Sequence, residues 1–394
     1  MENSTEPMPN VFLRYPSIAA LIDTFAPGAS MAERVIPPIW YLIGLVGNPM
    51  SAAIWFGKRM RRNNSSAIYL GALSISDFIF LVLHLIATLH LAWGYKTYNT
   101  KNGCEVFHFF YYVPQYLSTL LVLGFTVERY IAVVHPFLKE KWCTVRRASF
   151  LVGILTLFSV VIASAQTYIW FYYSLTDSCN IRPEAQVGGN GSFWNIWTWV
   201  TDLLIFGVVP LIVLIFNVLV LREIYKLSNN GVIARQSGGT NSTTASTVTL
   251  LAVSFYLIVT QIASTILNCM QYVFTYGSIH LTDEEVREDP EWSSMFTFMT
   301  IRKIIDTICL SHYACYVFIY AFTGKHFRKE IMYILTCYGR SSWLDKICSK
   351  THRGERYSMV TGNGNPVSET RTRNTYLIKC VVNTCVNKRE PSLK

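Results

Sequence analysis

The sequence contains few charged residues. Asp, Glu, Lys and Arg make up 15% of its 394 residues, against about 25% in soluble domains, and 51% of the residues are hydrophobic. The net charge of +10 lies mainly in short loops beside long apolar runs, which is typical of cytoplasmic loops in membrane proteins. Basic patches interleaved with aromatic residues are missing, so we expect no nucleic-acid binding. The composition predicts a chain embedded in a lipid bilayer.

The chain also lacks the common signs of catalysis and of metal binding. Its ten cysteines form no C-x-x-C or Cys/His pattern, and no nucleophile or phosphate-binding motif occurs in a suitable context. We therefore expect no enzymatic activity. No internal repeat, continuous polar path or pair of broken helices is visible, which makes a channel or transporter the less favoured alternative.

Seven predominantly apolar runs are long enough to cross a membrane, since a spanning helix needs about 20 such residues. Backbone polar groups in lipid must be satisfied within the segment, so these runs are predicted to be helices. The predicted spans cover 36–57, 67–93, 104–135, 147–173, 196–225, 246–274 and 294–322. The fold class is therefore an all-α membrane protein, with a bundle of seven transmembrane helices.

The distribution of basic residues predicts the orientation of the bundle. Loops rich in Lys and Arg follow the first, third, fifth and seventh spans, which puts the N-terminus outside and the C-terminus inside. The first residues show no signal-peptide pattern, so we expect the first span to act as the insertion signal. Glycosylation sequons at Asn3 and Asn190 lie in predicted outside segments. Three further sequons lie in predicted inside segments, at Asn63, Asn64 and Asn241.

Composition divides the chain into four predicted regions. Residues 1–35 form an extracellular segment, and 36–322 form the bundle. Basic and apolar residues alternate at helical spacing over 323–338, which predicts a short amphipathic eighth helix on the inner leaflet. Cys337 in this helix is a candidate for palmitoylation, with a plain thiol as the alternative. The polar tail, 339–394, is predicted to be disordered.

Three consecutive residues at the inner end of the third span, Glu128, Arg129 and Tyr130, suggest a family. An arginine beside a carboxylate at a membrane boundary is typical of a stored ion pair. Other short motifs occur at matching places in other spans: Gly47-Asn48, the run from Leu73 to Asp77, Pro210 and Tyr320. With these motifs, the chain resembles the rhodopsin-like (class A) G-protein-coupled receptors over roughly residues 35–335.

This resemblance implies partners and residue roles. Arg129 would be released on activation to meet a heterotrimeric G protein, with Tyr320 as a possible contact, and arrestin and a receptor kinase would act at cytoplasmic Ser and Thr residues. Cys104 and Cys179 match the disulfide of the family, which the outside location permits. Asp77 would lie in the middle of the membrane, with Asn48 and Ser118 as candidate partners, where the family often holds a sodium ion.

The chain departs from the family in its sixth and seventh spans. The N-P-x-x-Y motif reads Tyr316-Val317-Phe318-Ile319-Tyr320, and the C-W-x-P motif reads Thr260-Gln261-Ile262-Ala263. Loss of both prolines predicts spans without the usual kinks. The replacement of Asn by Tyr316 counts against sodium at Asp77. His312, one turn earlier, is the alternative partner for that carboxylate.

The outer half of the bundle supplies the candidate ligand contacts. Tyr111 stands where aminergic receptors place an Asp, and Leu310 stands where opsins place a lysine, so both ligand classes are disfavoured. The remaining polar candidates in this half are Tyr111, Tyr112, Gln115, Gln166, Asp202, Gln271 and Asp306. Asp306 has Arg302 and Lys303 close by on the same helix, so an internal ion pair is an alternative role. Asp202 has no basic neighbour in sequence and is the sharper ligand candidate, because an unpaired carboxylate is costly inside a bundle.

The loop between the sixth and seventh spans is acidic, which would attract a cationic ligand, although an ordinary solvated loop is also consistent with it. Its acidic residues are Asp283, Glu284, Glu285, Glu288, Asp289 and Glu291. Together with the aromatic, glutamine-rich mouth, the loop favours a basic or amidated neuropeptide. The chain is similar to invertebrate neuropeptide receptors of the FMRFamide-like and thyrotropin-releasing-hormone-like groups. A small-molecule chemosensory receptor of the same fold is the alternative.

Overall fold

Seven long apolar helices form the body of the molecule. The structure, a computed structural model, describes residues 10–15, 18–62, 64–174, 178–229, 240–271 and 273–337. The helices that are long and apolar enough to cross a membrane confirm the predicted number of spans. In chain order, spans 1 to 7 are Pro27–Phe56, Ser66–Leu91, Gly103–Val134, Val145–Ile169, Phe193–Leu227, Thr247–Met270 and Pro290–Thr323.

Several spans contain more than one helical segment. Span 4 consists of helices Val145–Ala163 and Ala165–Ile169. Span 5 consists of Phe193–Asp202, a π-helical turn at Leu203–Val208 and Val209–Asn229. Span 6, Thr247–Met270, is the apolar part of the longer helix Thr240–Met270. Span 7 consists of Pro290–Cys309 and His312–Thr323. The shorter helices of the described residues are Val11–Arg14, Ile18–Phe25, Lys58–Arg61, Pro136–Trp142, Pro183–Gln186, the 3₁₀ turn Gly189–Gly191, Asp283–Glu288 and Lys325–Cys337.

Close packing holds the spans together, since lipid is as apolar as the side chains and supplies no hydrophobic drive for association. Span 1 approaches span 7 through glycines. A Cβ atom on Gly44 would lie 3.2 Å from Ala314 Cα, and one on Gly47 would lie 2.8 Å from Val317 Cγ1. The main core cluster contains residues of all seven spans, and its largest fully buried side chains are Tyr69, Tyr116, Phe125, Tyr316, Tyr320 and Phe327.

The outer end of span 4 differs from the prediction. The helix ends at Ile169, and the predicted helical residues Trp170–Tyr173 form strand β1, which pairs antiparallel with strand β2, Ser178–Ile181. The prediction of helix to residue 173 was wrong because a run of aromatic residues also suits a strand. The Cys104–Cys179 disulfide is present, with a Cα–Cα distance of 5.7 Å. It fixes β2 to the first turn of span 3, and so confirms the predicted pairing.

The segment before span 1, predicted to lie outside, is helical and docked. Helices Val11–Arg14 and Ile18–Phe25 form what we call the N-terminal cap (residues 11–25). The Val11 amide donates to the Ile279 carbonyl oxygen over 2.9 Å. The buried apolar residues that join the cap to span 1, the loop before span 7 and span 7 itself are Val11, Leu21, Ala26, Ala29, Val286, Trp292 and Phe296. Span 1 therefore begins at Pro27, earlier than predicted.

Part of the acidic outer loop serves its own structure. The Asp283 carboxylate lies 2.9 Å from Arg14 Nη2 and accepts a 2.9 Å hydrogen bond from the Tyr15 hydroxyl. Glu285 accepts hydrogen bonds from the backbone and side chain of Thr282, which lower the pKa of its carboxyl group. Asp289 caps span 7 by accepting from the Trp292 amide. Fewer of these acids are thus available to a ligand than their number in the sequence indicates.

At the inner side, a helix covers Lys325–Cys337, close to the predicted 323–338. Its Phe327 packs in the core against Trp55 and Tyr320, and its Glu330 lies 2.7 Å from Arg59. Its position on the inner leaflet stays a prediction. The side chain of Cys337, the residue Asn3, the side chain of Asn190 and the tail 339–394 lie outside the described residues.

Candidate ligand-binding site

A cavity of about 240 Å³ lies between spans 3, 5 and 6, in the half of the bundle that is predicted to be the outer one. It contains four of the predicted ligand contacts: Tyr111, Tyr112, Gln115 and Asp202. Span 6 lines the opposite wall with a series of polar side chains, which are Gln261, Ser264, Thr265 and Asn268, and Phe206 completes the lining. The cavity is therefore strongly polar for a site inside a membrane protein.

Asp202 is the chemically distinctive group of this cavity. Among the described residues, no side chain forms a hydrogen bond or an ion pair within 4 Å with its carboxylate. Arg302 on span 7 lies within electrostatic reach of it without contact. A carboxylate inside a membrane protein costs at least about 2.5 kcal/mol even on lenient scales. Asp202 is thus available for a cation that the ligand brings.

The backbone around Asp202 is held by span 6. Pro210 lacks an amide hydrogen and cannot donate to the carbonyl oxygen of Phe206, four residues earlier. Span 5 takes up this defect as the π-helical turn Leu203–Val208, which directly follows Asp202. The hydroxyl of Thr265 donates to the Phe206 carbonyl oxygen over 2.8 Å. The position of Asp202 in the wall therefore depends on a contact between spans 5 and 6.

Asp306 and Gln271, also predicted as ligand contacts, lie instead around Arg302. Arg302 Nε is 3.4 Å from Asp306 Oδ2, and the Ser264 hydroxyl donates to Asp306 Oδ1 over 2.9 Å. The guanidinium also donates to Gln271 and, over 2.7 Å, to Asn268 Oδ1. Asp306 thus has an ion-pair partner within the protein, which is the alternative to ligand binding that the sequence offered. The adjacent Lys303 lies 3.1 Å from Glu33 of span 1.

Gln166 is buried away from the cavity lining. Its side-chain oxygen accepts a 3.1 Å hydrogen bond from Trp170 Nε1, at the base of the β-hairpin. Gln166 therefore supports the loop that the disulfide holds over the bundle. Its assignment to ligand binding has no contact in its favour among the described residues.

Sequence reasoning missed the polar wall of span 6. Gln261, Ser264, Thr265 and Asn268 occupy positions i, i+3, i+4 and i+7, so they share one face of a helix. The signal was present, because four polar residues on one face of an otherwise apolar span indicate a surface that does not meet lipid. Of these four residues, only Gln261 was singled out from the sequence, because it lies in the altered C-W-x-P motif.

The buried polar residues in the middle of the bundle do not form the predicted single cluster. The Ser118 hydroxyl donates to Asp77 Oδ1 over 2.7 Å, as predicted. Asn48 instead donates to the Tyr313 carbonyl oxygen over 2.8 Å. His312 contacts the Cys309 carbonyl oxygen and Gln261, and the prediction that it replaces an ion beside Asp77 was wrong.

A sodium ion at Asp77 is not supported by this arrangement. A hard cation requires several oxygen ligands around it. Asp77 Oδ2 has no hydrogen-bond partner among the described residues, but the Asn48 amide is already used on a backbone carbonyl. The bulky Tyr316 is fully buried where the family has a small amide. The residues present do not assemble a set of ligands for the ion.

At the predicted inner end of span 3, Glu128 and Arg129 each form a hydrogen bond with a serine rather than with each other. Ser65 donates to Glu128 over 2.5 Å, and Arg129 donates to the hydroxyl of Ser66, which begins span 2. Within the described residues, no ion pair shorter than 4.0 Å joins Glu128 to Arg129, although their charges still attract each other. Both side chains are therefore anchored to the start of span 2. Tyr130 packs on Phe216 of span 5, with ring centroids 5.1 Å apart.

Known proteins are similar to this chain in sequence. A family model described as 7 transmembrane receptor (rhodopsin family) matches residues 50–342. The human G-protein coupled receptor 183 is 23% identical over 311 residues, which is 77% of this chain and 81% of that protein.

Other similar proteins match over shorter stretches. The neuromedin-U receptor 2 of Mus musculus is 26% identical over 36% of this chain and 35% of its own length. The thyrotropin-releasing hormone receptor of Gallus gallus is 28% identical over 33% of this chain and 32% of its own length. With a family match over most of its length and seven spans in its structure, the chain belongs to the rhodopsin family of seven-transmembrane, G-protein-coupled receptors.

Proposed function

We propose that this receptor binds an extracellular peptide that carries a basic group, and that the cation of the peptide pairs with Asp202. The observation that carries the proposal is the Asp202 carboxylate in the wall of this cavity, which has no hydrogen-bond or ion-pair partner among the residues that the structure describes. The free-energy cost of burying this carboxylate is offset when a cation of the ligand pairs with it. The relatives named for neuromedin-U and thyrotropin-releasing hormone support a peptide as the ligand class.

The size of the cavity supports a divided mode of binding. Its volume of about 240 Å³ is below the roughly 300–1,000 Å³ of sites that enclose a drug-sized ligand. Only one end or one side chain of a peptide enters such a space. The remainder of the peptide lies against the outer loops, where strand β1 presents the exposed aromatic side chains of Phe171 and Tyr173.

A small-molecule ligand is the second candidate, provided that it is compact enough for this volume. A compact amine would be enclosed by the cavity and would satisfy Asp202 without contact to the outer loops. The polar wall of span 6 would suit either ligand, because amide and hydroxyl groups both donate and accept hydrogen bonds.

Ligand class can be tested with tissue extract. Cells that express the receptor with a promiscuous G protein are challenged with extract before and after protease digestion, and intracellular calcium is recorded. We expect a calcium response that digestion abolishes, and none in cells without the receptor. A response that survives digestion would reject the peptide and support the small molecule.

We further propose that the receptor lies in the plasma membrane with its N-terminus outside. Ligand binding then shifts the bundle towards a state with an open inner cleft, since a ligand acts by favouring one of two conformations. A heterotrimeric G protein enters this cleft beside Arg129, and arrestin and a receptor kinase act on cytoplasmic Ser and Thr residues. Palmitoylation of Cys337 would attach the last helix, Lys325–Cys337, to the inner leaflet.

The orientation predicts the positions of glycans. Asn3 and Asn190 are expected to carry sugar, because their sequons lie outside on this topology. Substitution Asn190→Gln should increase the gel mobility of the expressed receptor, and Asn3→Gln should increase it again. Substitution Asn241→Gln is the matched control and should leave the mobility unchanged. Sugar on Asn241 would require the opposite orientation.

A further inference from the structure

Span 7 is interrupted although its proline is missing. The helix Pro290–Cys309 ends, and His312–Thr323 begins after a turn at Leu310 and Ser311. After Pro290 the span contains no proline, so another cause is required; insertion of a side chain into the helical hydrogen-bond series is one such cause.

His312 supplies that side chain. In a regular helix the Tyr313 amide would donate to the Cys309 carbonyl oxygen, but it donates to Leu310 instead, over 3.2 Å. His312 Nδ1 lies 2.7 Å from the carbonyl oxygen of Cys309. The ring therefore satisfies the acceptor that the interruption of the helix leaves free.

The other nitrogen of His312 reaches span 6. Nδ1 faces a carbonyl oxygen and so carries the hydrogen, which makes Nε2 an acceptor. Gln261 Nε2 lies 3.3 Å from His312 Nε2 and is its donor. Both side chains are buried, with exposed fractions of 6% and 4%, so loss of this hydrogen bond leaves polar groups without a partner.

Gln261 connects the interruption to the ligand cavity. Its side chain lines the cavity wall and also binds His312. Other hydrogen bonds join the same two spans at greater depth, between Tyr256 and Ser311 at 2.6 Å and between Thr323 and Thr249 at 2.7 Å. Nearer the mouth, Ser264 and Asn268, which also line the cavity, hydrogen-bond to Asp306 and Arg302 of span 7. Gln261 is the cavity-lining residue whose partner lies at the interruption of span 7.

We propose that His312 is a positioning residue that interrupts span 7 more than one turn before Val317, where the family has its proline, and that its hydrogen bond with Gln261 holds spans 6 and 7 together in the closed receptor. A ligand that takes over the Gln261 amide releases His312 and lets span 6 move away from span 7. The release step rests on the proposed function, since it requires the ligand to enter the cavity. The closed-state role of the hydrogen bond does not.

Three substitutions distinguish the contact of His312 with the Cys309 carbonyl oxygen from its contact with Gln261. The side-chain amide of Asn at position 312 replaces Nδ1 and keeps the contact with Cys309, but it is too short to reach Gln261. The amide of Gln at position 312 replaces Nε2 and keeps the contact with Gln261. Gln261→Leu removes the amide from the other side at similar volume. All three are measured in the full chain at equal surface expression.

The readout is the conformation of span 6 without ligand. One energy-transfer probe is inserted in the segment 230–239 between spans 5 and 6, and the other follows Lys394. We expect His312→Asn and Gln261→Leu to shift the closed-to-open ratio by about 3- to 10-fold, as loss of one buried hydrogen bond implies. His312→Gln should stay near wild type. The double variant His312→Asn, Gln261→Leu should shift no further than either single variant.

The opposite pattern would overturn the proposal. A shift in His312→Gln with none in His312→Asn would assign control to the contact with Cys309 alone. Wild-type ratios in Gln261→Leu and His312→Asn, or additive shifts in the double variant, would show that the two residues do not act through their hydrogen bond. Because the sensor needs no ligand, these outcomes are independent of whether a peptide is found in tissue extract.

Discussion

Substitution of Asp202 by asparagine is expected to raise the peptide concentration for half-maximal activation by about 30-fold or more. The asparagine side chain has nearly the same shape but cannot neutralise a cation. Loss of one partner from a buried, hydrogen-bonded charge pair costs about 2–5 kcal/mol, and about 1.4 kcal/mol corresponds to a factor of ten. Calcium responses to a graded peptide series, at matched surface expression, measure the change.

A control must separate contact in the cavity from attraction at a distance. Glu284 lies exposed in the acidic outer loop, so Glu284→Gln removes the same charge without touching the cavity. We expect it to change potency by less than about 3-fold, and added salt should abolish that change, because exposed charges are screened beyond about 10 Å at 0.1 M. The effect of Asp202→Asn should persist in salt. Full potency in Asp202→Asn would return this carboxylate to a structural role.

The positions of the spans could be predicted because a membrane imposes a length and a composition on each of them. The errors lie where local sequence supports two structures. Trp170–Tyr173 is apolar enough to extend a helix, yet it forms a strand because β2 lies opposite, held by Cys179. The N-terminal cap could not be predicted either. Its helices are short, and they are stabilised by distant partners such as Trp292 and Asp283.

The residues of the candidate site were easier to predict from the sequence when burying their side chains in the bundle costs more free energy. Asp202 stood out because a carboxylate in a bundle is expensive wherever its partner lies. The neutral residues Ser264 and Asn268 cost less and gave a weaker signal. The pairing of Asp306 with Arg302 followed from their spacing of four residues on one helix. The link from Ser264 to Asp306 depends on how two spans pack, which spacing within one span does not define.

The shape of span 7 shows why a missing residue is a poor predictor of structure. The absence of proline predicted a helix without a kink, and that prediction was wrong at Leu310 and Ser311. Proline is one of several ways to leave a carbonyl group without its helical donor. A histidine three residues after Cys309 does the same when a partner on the neighbouring span fixes its ring.

Substitution of Glu128 by glutamine is expected to raise signalling in the absence of ligand several-fold. Glutamine can still accept the hydrogen bond from Ser65, so the packing at the start of span 2 is retained. The negative charge that attracts Arg129 is lost. Loss of an attraction of about 1 kcal/mol, the value for two unit charges 4 Å apart in bulk water, would increase the ratio of open to closed receptor by roughly 5-fold. Recruitment of a G-protein fragment, measured without ligand at equal surface expression, checks the increase.

A second variant identifies the group responsible. Ser65→Ala removes the hydrogen bond to Glu128 but keeps the charge, so its basal signal should rise less than that of Glu128→Gln. A larger rise in Ser65→Ala would mean that the hydrogen bond, rather than the charge, restrains Arg129. Unchanged basal signalling in both variants would show that Glu128 does not stabilise the closed state. Arg129 would then be held by its contact with Ser66, and the restraint on activation would have to lie higher in the bundle, where Gln261 meets His312.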